Sequence, residues 1–327
     1  MKSPPGDNME IYMYSRENYA LAQEEIEARR TSAEATAEAR NDELRILYSE
    51  IKEIDDELTG TGLALFKIAC SGGDITPLRK RNEELMARRR KILVGLGYPA
   101  DYTDVHYTCT TCSDTGFVGT KMCKCLKELL ITKNIASSGI GRLIERQSFD
   151  NFDLEWYRDD EQGYSRMCKN LETAKVFAHS FAAHNDNLLL IGTTGTGKTH
   201  ISTAIAREVI HQGYDVHYDS MQNILTAFEN DRFHSGYGQR EIEGEKYLEC
   251  DLLIIDDLGT EFVNQFSIAT LYNIINTRCN KGLSTIISTN LSASDLRAKY
   301  DGRIISRIIG SEYKVLYFTG KDHRVGI

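Results

Sequence analysis

The fold is decided by residues 188–199, which read LLLIGTTGTGKT. The apolar run at the start predicts a buried strand, the remainder matches the P-loop pattern in full, and residues 201–212 have the pattern of a helix. Glycines let such a loop turn its N–H groups towards phosphates, and the dipole of the following helix adds positive potential. This order of strand, loop and helix predicts an ATP site whose phosphate-binding residues are Gly192, Thr193, Thr194, Gly195, Thr196, Gly197, Lys198 and Thr199.

Further apolar runs surround the P-loop strand along the chain. They lie at residues 188–191, 252–255, 285–287 and 315–318, with a weaker run at 216–218, and helix-length amphipathic stretches separate them. Such alternation is typical of an α/β domain in which helices cover both faces of a central parallel sheet. We therefore predict that residues 148–327 form one α/β domain built around the P-loop.

Polar side chains follow two of the predicted strands. Asp256 and Asp257 end the run at 252–255, and Asn290 follows the next strand. Ligands of open α/β sheets bind at the carboxyl ends of the strands. We expect Lys198 to neutralise the β- and γ-phosphates, Thr199 and Asp256 to hold Mg²⁺, and Asp257 to orient the attacking water. The alternatives are that the paired aspartates only mark the end of the strand and that Asn290 is a turn residue.

Arg303 and Arg307 lie four residues apart, so they share a face if this stretch is helical. From that face an arginine can reach the γ-phosphate held by a neighbouring subunit and stabilise the transition state. The alternative is a pair of surface arginines in ordinary salt bridges.

Four of the eight cysteines are crowded into one short segment as Cys109, Cys112, Cys123 and Cys125. Two close pairs of thiolates can close a tetrahedral zinc site, and four cysteines leave no open position for catalysis. The spacing of the second pair, with one residue between its cysteines, is less common than two. The segment thus predicts structural Zn²⁺, with free thiols or a redox pair as alternatives.

The first hundred residues predict helices. From about residue 17 to residue 58 the chain is rich in Ala, Glu and Arg, and Gly60 and Gly62 then interrupt the pattern. Thr76-Pro77 predicts the start of a second helix, which Gly95, Gly97 and Pro99 end. We therefore predict that the two helices form a hairpin. The alternative is a single helix exposed to solvent. The predicted apolar seam of the hairpin consists of Leu44, Leu47, Ile51, Ile54 and Leu58.

The bulk composition restricts the class of protein. A formal net charge of −9 and a pI near 5.5 argue against binding nucleic acid through overall charge, so DNA contacts must be local. The N-terminus lacks the pattern of a secretory signal, and no stretch reaches the length of a membrane span. We expect a cytoplasmic protein with no membrane association.

With these residues in hand, the sequence resembles the bacterial and phage replicative helicase loaders of the DnaC/DnaI type and, more broadly, the IstB-like transposition ATPases. The resemblance is densest from Phe149 to Arg324 and rests on residues 192–199, 254–261, 288–290 and 305–308; residues 109–125 resemble the zinc motif of one branch of those loaders. It implies an AAA+ fold in which Asn290 serves as sensor 1 and Arg307 as the arginine finger, with Arg324 as a sensor 2 candidate. Asp257 stands where many AAA+ proteins carry glutamate, and the nine residues after Phe318 are too few for a C-terminal lid.

The resemblance also implies a function and a division of the chain. We expect residues 1–100 to be a helical partner-binding domain, 101–135 a zinc module, 136–147 a linker and 148–327 the AAA+ ATPase domain. The expected partners are a hexameric replicative DNA helicase, single-stranded DNA and further copies of the chain. The rival functions are an IstB-like transposition helper and an ATP-binding interaction protein without significant turnover. A possible DNA-binding cluster, equally interpretable as an ordinary exposed loop, comprises Arg232, Phe233, Tyr237 and Arg240.

Overall fold

The structure, a computed structural model, describes residues 14–70, 73–181, 186–234, 243–320 and 322. The chain divides into two compact units. Unit 2 is Gln23–Cys125, and unit 1 combines Met1–Ala22 with Leu126–Ile327. No helix in the described ranges is long and apolar enough to cross a membrane.

Three long helices open the chain: α1 (Arg16–Leu47), α2 (Ser49–Cys70) and α3 (Thr76–Gly95). The helical hairpin is formed by α2 and α3, whose facing charges pair in three interhelical salt bridges. The innermost pair joins Arg89 to Asp55 at 2.7 Å, and the same guanidinium donates to Asn41 of α1 and to Thr103. Arg89 thus ties three parts of unit 2 together.

The boundaries of the first helices differ from the prediction. The helix breaks at Tyr48, and α2 then continues through Gly60 and Gly62, so the predicted interruption at these glycines is wrong. Leu44 and Ile51 are buried with Leu93 in one apolar cluster, whereas Leu47 is 57% exposed. Leu47 therefore does not take part in the seam. Helix α3 begins at Thr76, as predicted; Ile75 is its N-cap, and Asp74 Oδ1 accepts the N–H of Thr76 at 2.9 Å.

The cysteine segment contains a short hairpin, β1 (Phe117–Val118) paired with β2 (Lys121–Met122). It is followed by α4 (Lys124–Ser137), α5 (Leu143–Arg146), a 3₁₀ turn (Leu154–Tyr157) and α6 (Glu161–His179).

The centre of unit 1 is a five-stranded parallel sheet. Its strands are β3 (Asn187–Gly192), β4 (Val216–Ser220), β5 (Leu252–Leu258), β6 (Ser284–Thr289) and β7 (Tyr313–Phe318), in the spatial order β4-β5-β6-β3-β7. The helices between them are α7 (Lys198–His211), α8 (Met221–His234), α9 (Glu245–Glu249), α10 (Gln265–Lys281), α11 (Ala293–Lys299) and α12 (Gly302–Ile308). The predicted parallel α/β fold is confirmed, and each of the five apolar runs lies in one of the strands.

Helices pack on both faces of this sheet. Leu188 and Leu190 of β3 point into one apolar core with α7, while Leu189 and Ile191 point into a second core with α10. Burial on both faces explains why these strands read as continuous apolar runs instead of alternating with polar residues. The order of the strands places β6 between the P-loop strand β3 and the aspartate strand β5, and this fixes which side chains can meet at the carboxyl edge.

Candidate nucleotide site and metal centre

The P-loop connects the end of β3 to the start of α7. Gly197 caps α7 with a left-handed backbone, φ +88°, that L side chains rarely adopt. A Cβ at this position would lie 2.7 Å from the Tyr157 hydroxyl and 2.9 Å from the Phe152 ring. Both the conformation and the close approach therefore require glycine at this position.

Lys198 is 5% exposed and lies at the centre of the site. Its Nζ donates to the backbone oxygens of Gly192 and Thr193, both at 2.8 Å, and to Asn290 Oδ1 at 2.7 Å. The amide nitrogen of Asn290 in turn donates to Asp257 Oδ1 at 3.2 Å. Asn290 thus links the P-loop lysine directly to Asp257. It does so from the end of β6, the strand that lies between β3 and β5.

The carboxylate of Asp256 is surrounded by hydroxyl donors. Ser288 donates to Oδ1, Tyr218 donates to Oδ2, and Thr199 Oγ1 lies 3.4 Å from Oδ2. Burial, with the Asp256 charge as a second cause, raises the pKa of Tyr218, so its phenol stays protonated and remains a donor. The structure therefore brings Thr199 and Asp256, the two predicted magnesium ligands, next to each other.

Asp257 has an unusual backbone, with φ +53°. Left-handed conformations cost a non-glycine residue roughly 1 kcal/mol or more and recur at functional sites. Three hydrogen bonds hold its backbone: its N–H donates to Ser288 Oγ at 3.0 Å, and its carbonyl accepts from Thr260 Oγ1 at 2.9 Å and from the Thr260 N–H at 3.3 Å. The turn directs the Asp257 carboxylate to Asn290.

A cavity of about 300 Å³ adjoins the P-loop, and Lys198, Thr199, Asp257 and Asn290 line it. Such a volume is at the small end of the range for ligand sites. Part of the cavity wall is aromatic and comprises Phe152, Trp156 and Tyr157. Tyr157 donates to the Thr196 carbonyl at 3.0 Å, which fastens this wall to the P-loop.

His200 fixes the same wall from the first turn of α7. Its Nε2–H donates to the Ser148 carbonyl at 2.9 Å, and its ring meets that of Phe152 edge-on, with centroids 5.2 Å apart. Burial lowers the pKa of His200, which keeps the ring neutral near pH 7. The sequence alone assigned no role to the aromatic wall, His200, Tyr218 or Ser288. Ser288 belongs to the stretch 288–290 that carries the resemblance, whereas the others belong to no motif and come to the site only through the fold.

The two candidate arginines lie outside the wall of this cavity. Arg307 on α12 donates to both carboxylate oxygens of Glu312, at 3.0 and 3.2 Å, and to Asn276 Oδ1 at 2.6 Å. Arg303 is bound to Asp301 and packs over the Tyr272 ring. Arg324, Tyr237, Arg240 and the side chain of Phe233 lie outside the described residues, so their predicted roles stay predictions.

In unit 2, the four cysteines Cys109, Cys112, Cys123 and Cys125 come together, with all Sγ atoms within 4.8 Å of one another. Cys109 and Cys123 are 3.8 Å apart and Cys112 and Cys125 are 3.4 Å apart, close to the roughly 3.8 Å edge of a tetrahedron with Zn–S bonds of about 2.3 Å. Buried Asp114 accepts the N–H groups of Thr108 and Cys109, which shapes the first knuckle.

The electrostatics of this cluster fit a cation. Backbone N–H groups of Cys112 and Thr111 lower the pKa of the Cys109 thiol to about 7, whereas burial raises the pKa of Cys125. Four thiolates cannot coexist at this distance without a positive charge between them. The donor set is therefore suited to one zinc ion.

A P-loop between a parallel strand and a helix, with carboxylates at the end of β5, defines a P-loop nucleotide-binding protein. Comparison with known proteins makes this specific. Residues 137–309, just over half of the chain, match the family model described as IstB-like ATP binding protein. The chain belongs to the family of IstB-like ATP binding proteins.

The chain is also similar to individual proteins. The replicative helicase loader DnaC of Buchnera aphidicola subsp. Baizongia pistaciae (strain Bp) is 26% identical over 190 residues, which cover 56% of this chain and 71% of that protein. DnaC of Escherichia coli (strain K12) is 24% identical over 195 residues, covering 57% and 76%. A crystal structure of the DnaC helicase loader matches with a TM-score of 0.46 and 22% identity, over 54% of this chain and 98% of that one.

Proposed function

We propose that this protein is an ATPase that loads a replicative DNA helicase onto single-stranded DNA in the cytoplasm. The observation that carries the proposal is the continuous hydrogen-bonded path from Lys198 through Asn290 to Asp257, beside a P-loop. The similarity to proteins named replicative helicase loaders supports the choice of partner.

The residues present fit ATP with magnesium. The P-loop N–H groups and Lys198 would hold the phosphates, and the aromatic wall would face the base. Thr199 and Asp256 offer the hydroxyl and carboxylate oxygens that Mg²⁺ prefers, 3.4 Å apart. When bound there, magnesium would neutralise charge that develops on the phosphates.

The chemistry of the protein side chains follows from their contacts. Asp257 would accept a hydrogen bond from the attacking water and orient it towards the γ-phosphate. Asn290 would position both Asp257 and Lys198. Loss of the γ-phosphate would therefore change the contacts of the lysine and of the water-binding carboxylate together. We infer that ATP binding is the conformational switch and that hydrolysis resets it.

Assembly would complete the site. Because Arg307 lies on α12 outside the cavity of its own chain, we propose that it serves the nucleotide of a neighbouring copy. The helical unit Gln23–Cys125 would bind the helicase, and its four cysteines would hold one structural zinc ion.

A transposition helper is the second candidate, favoured by the description of the matching family model. Such a protein would use the same ATPase core to coat duplex DNA. An interaction protein that binds ATP without turnover is the third.

A loading assay separates these functions. The full chain is mixed with the hexameric replicative helicase of the same organism, circular single-stranded DNA, ATP and Mg²⁺, and helicase bound to the circle is measured. We expect the wild-type chain to transfer helicase and Lys198→Ala to transfer none, because that variant loses the charge that faces the phosphates. Emission of Trp156, the single tryptophan and a part of the cavity wall, reports nucleotide binding in both.

Other results would reject the loader. An ATP-dependent filament on duplex DNA, with no effect on the helicase, would establish the transposition helper instead. A change in Trp156 emission without hydrolysis, even with helicase and DNA present, would favour the interaction protein.

A further inference from the structure

The Asp256 carboxylate is held by hydroxyl groups from the strands on either side of it. Ser288 of β6 donates to Oδ1 and Tyr218 of β4 donates to Oδ2. Thr199 Oγ1 also approaches Oδ2, at 3.4 Å. We propose that Tyr218 is a positioning residue for magnesium, which fixes the oxygen of Asp256 that faces Thr199.

The geometry of one oxygen carries this inference. A carboxylate oxygen has two lone-pair directions, and Tyr218 occupies one direction at Oδ2. Thr199 Oγ1 donates to the same oxygen at 3.4 Å, and the metal or a water bound to it would replace this contact. Rotation of an aspartate carboxyl about its last torsion is broad and roughly two-fold. Without the phenol, Oδ2 would lose its hydrogen bond from β4, and Ser288 at Oδ1 would be the remaining strand contact that orients the carboxylate.

Tyr218 is itself held rigidly at the sheet edge. In the β4–β5 register Tyr218 pairs with Ile254, two residues before Asp256, and its ring packs against the core under α7. Its N–H donates to the Ser138 carbonyl at 2.7 Å. Gly139, with φ +78°, lies so close that a Cβ there would be 2.5 Å from the Tyr218 carbonyl oxygen. The backbone of Tyr218 is therefore clamped from outside the sheet, which gives its hydroxyl a fixed position.

Ser288 has a broader role than Tyr218. The serine hydroxyl donates to Asp256 and also accepts the N–H of Asp257, so it supports both carboxylates. The Tyr218 hydroxyl bonds to Asp256 and also meets the hydroxyl of Thr199, so its contacts are with the two proposed magnesium ligands. The two hydroxyls therefore predict different effects: Tyr218 concerns the metal, while Ser288 concerns both the metal and the water-orienting residue.

The test is the magnesium dependence of ATP binding in Tyr218→Phe, which keeps the ring and removes the hydroxyl. This inference rests on the proposed Mg-ATP site. ATP affinity is measured by calorimetry at a series of Mg²⁺ concentrations and in EDTA. We expect affinity in EDTA to equal that of the wild type and the Mg²⁺ concentration at half effect to rise about tenfold, as found when a hydrogen-bond partner of a metal ligand is removed.

Tyr247→Phe is the matched control. Tyr247 donates the same kind of hydrogen bond, at 2.8 Å, to Asp219, which follows Tyr218 in β4. This variant should keep the wild-type Mg²⁺ requirement. If Tyr218→Phe does not fold, Ser288→Ala should still raise the Mg²⁺ requirement and should also lower hydrolysis at saturating Mg²⁺.

The outcomes separate this inference from the proposed function. A wild-type chain that binds no ATP, or binds it without any effect of Mg²⁺, overturns both. The role of Tyr218 alone is overturned if Mg²⁺ clearly affects ATP binding by the wild type and the Mg²⁺ requirement of Tyr218→Phe stays within twofold of the wild-type value. An equal rise of the Mg²⁺ requirement in Tyr247→Phe would also overturn the role of Tyr218, because loss of a phenol hydroxyl away from Asp256 would then have the same effect.

Discussion

At the scale of single residues, the site depends on side chains that make two contacts at once. Asn290 accepts from Lys198 and donates to Asp257, and Ser288 donates to Asp256 and accepts from Asp257. Because an amide and a hydroxyl each offer both a donor and an acceptor, they can join a cation to a carboxylate or two consecutive aspartates to each other. A carboxylate or an ammonium group at either position could not make both contacts.

Arg307 gives a prediction at this scale. Its salt bridge with Glu312 is partly exposed, so its loss should cost at most about 1 kcal/mol of stability. If it acts on the nucleotide of a neighbouring copy, Arg307→Ala should bind ATP with wild-type affinity, while turnover in the assembly should fall about a thousandfold or to background. Steady-state ATPase at concentrations that permit self-association measures this.

Two further variants decide between a finger and an ordinary ion pair. Glu312→Gln removes the salt bridge but keeps the arginine, so it should retain turnover. Asp257→Asn keeps the arginine but cannot orient the water. A mixture of Arg307→Ala and Asp257→Asn should therefore regain activity. At some interfaces the Arg307→Ala subunit supplies an intact Asp257 and the Asp257→Asn subunit supplies an intact Arg307. Equal loss in Arg307→Ala and Glu312→Gln, with no recovery in the mixture, would contradict the finger.

At the scale of elements, α2 shows how a helix tolerates glycine. Gly60 and Gly62 are exposed, and nothing lies within 4 Å of a Cβ built on either. Glycine costs a helix interior about 1 kcal/mol relative to alanine, a penalty that packing against α3 and three interhelical salt bridges can offset. The helix therefore continues where propensity predicts a stop.

The same substitution should have opposite effects at Gly60 and at Gly97. Gly60→Ala should stabilise α2 by up to about 1 kcal/mol, since the helical backbone suits alanine. Gly97 follows the end of α3 with φ +88° and also has open space around it. Gly97→Ala should destabilise by about 1 kcal/mol through backbone strain alone. Urea denaturation followed by circular dichroism measures the change in the free energy of unfolding for both variants. An increase in stability at both positions would contradict the strain argument.

The elements also show what the sequence could predict. Continuous apolar runs identified β3, β5 and β6, because a parallel strand that is buried on both faces needs apolar residues on both. The edge strand β7 also carries an apolar run, although Lys314 and Tyr317 are exposed. The edge strand β4 gave a weaker run, since Tyr218 and Asp219 face the site and Tyr247. A local pattern carries no information on such contacts, which depend on residues far away in the chain.

The position of the helix break had a similar cause. The apolar spacing through Leu47 is regular, so it predicted one continuous seam. Tyr48, at the break between α1 and α2, instead packs with Leu44, Ile51 and Leu93. Motif residues of the nucleotide site were predictable because phosphate binding restricts them locally. The aromatic wall was not, because any large apolar residue brought there by the fold would serve.

At the scale of the whole molecule, the nucleotide site and the cysteine cluster belong to different compact units. Unit 1 contains the sheet and both large apolar cores, and unit 2 contains the smaller cluster around Leu44, Ile51 and Leu93 together with the four cysteines. A small segment such as 101–125 has little apolar material of its own, so a metal would supply much of its folding energy. Loss of the zinc site should therefore leave nucleotide binding intact.

Zinc content gives the prediction at this scale. Protein purified without chelator should contain about one zinc per chain by elemental analysis, because four cysteine sulfurs complete a structural site. Cys112→Ser should lose the zinc and unfold the segment around it, since Cys112 is 6% exposed and packed against Cys125. ATP affinity should stay within about twofold, because the P-loop, Asp256 and Asn290 lie in the other unit.

The control is Cys168→Ser on α6, which removes a thiol outside the cluster and should keep both the zinc and the ATP affinity. Two results would contradict the assignment in different ways. Absence of zinc from the wild-type protein would reject the metal itself. Zinc loss accompanied by loss of ATP binding in Cys112→Ser would show that the metal holds the nucleotide unit in place, and the cluster would then be part of the ATPase and not an independent module.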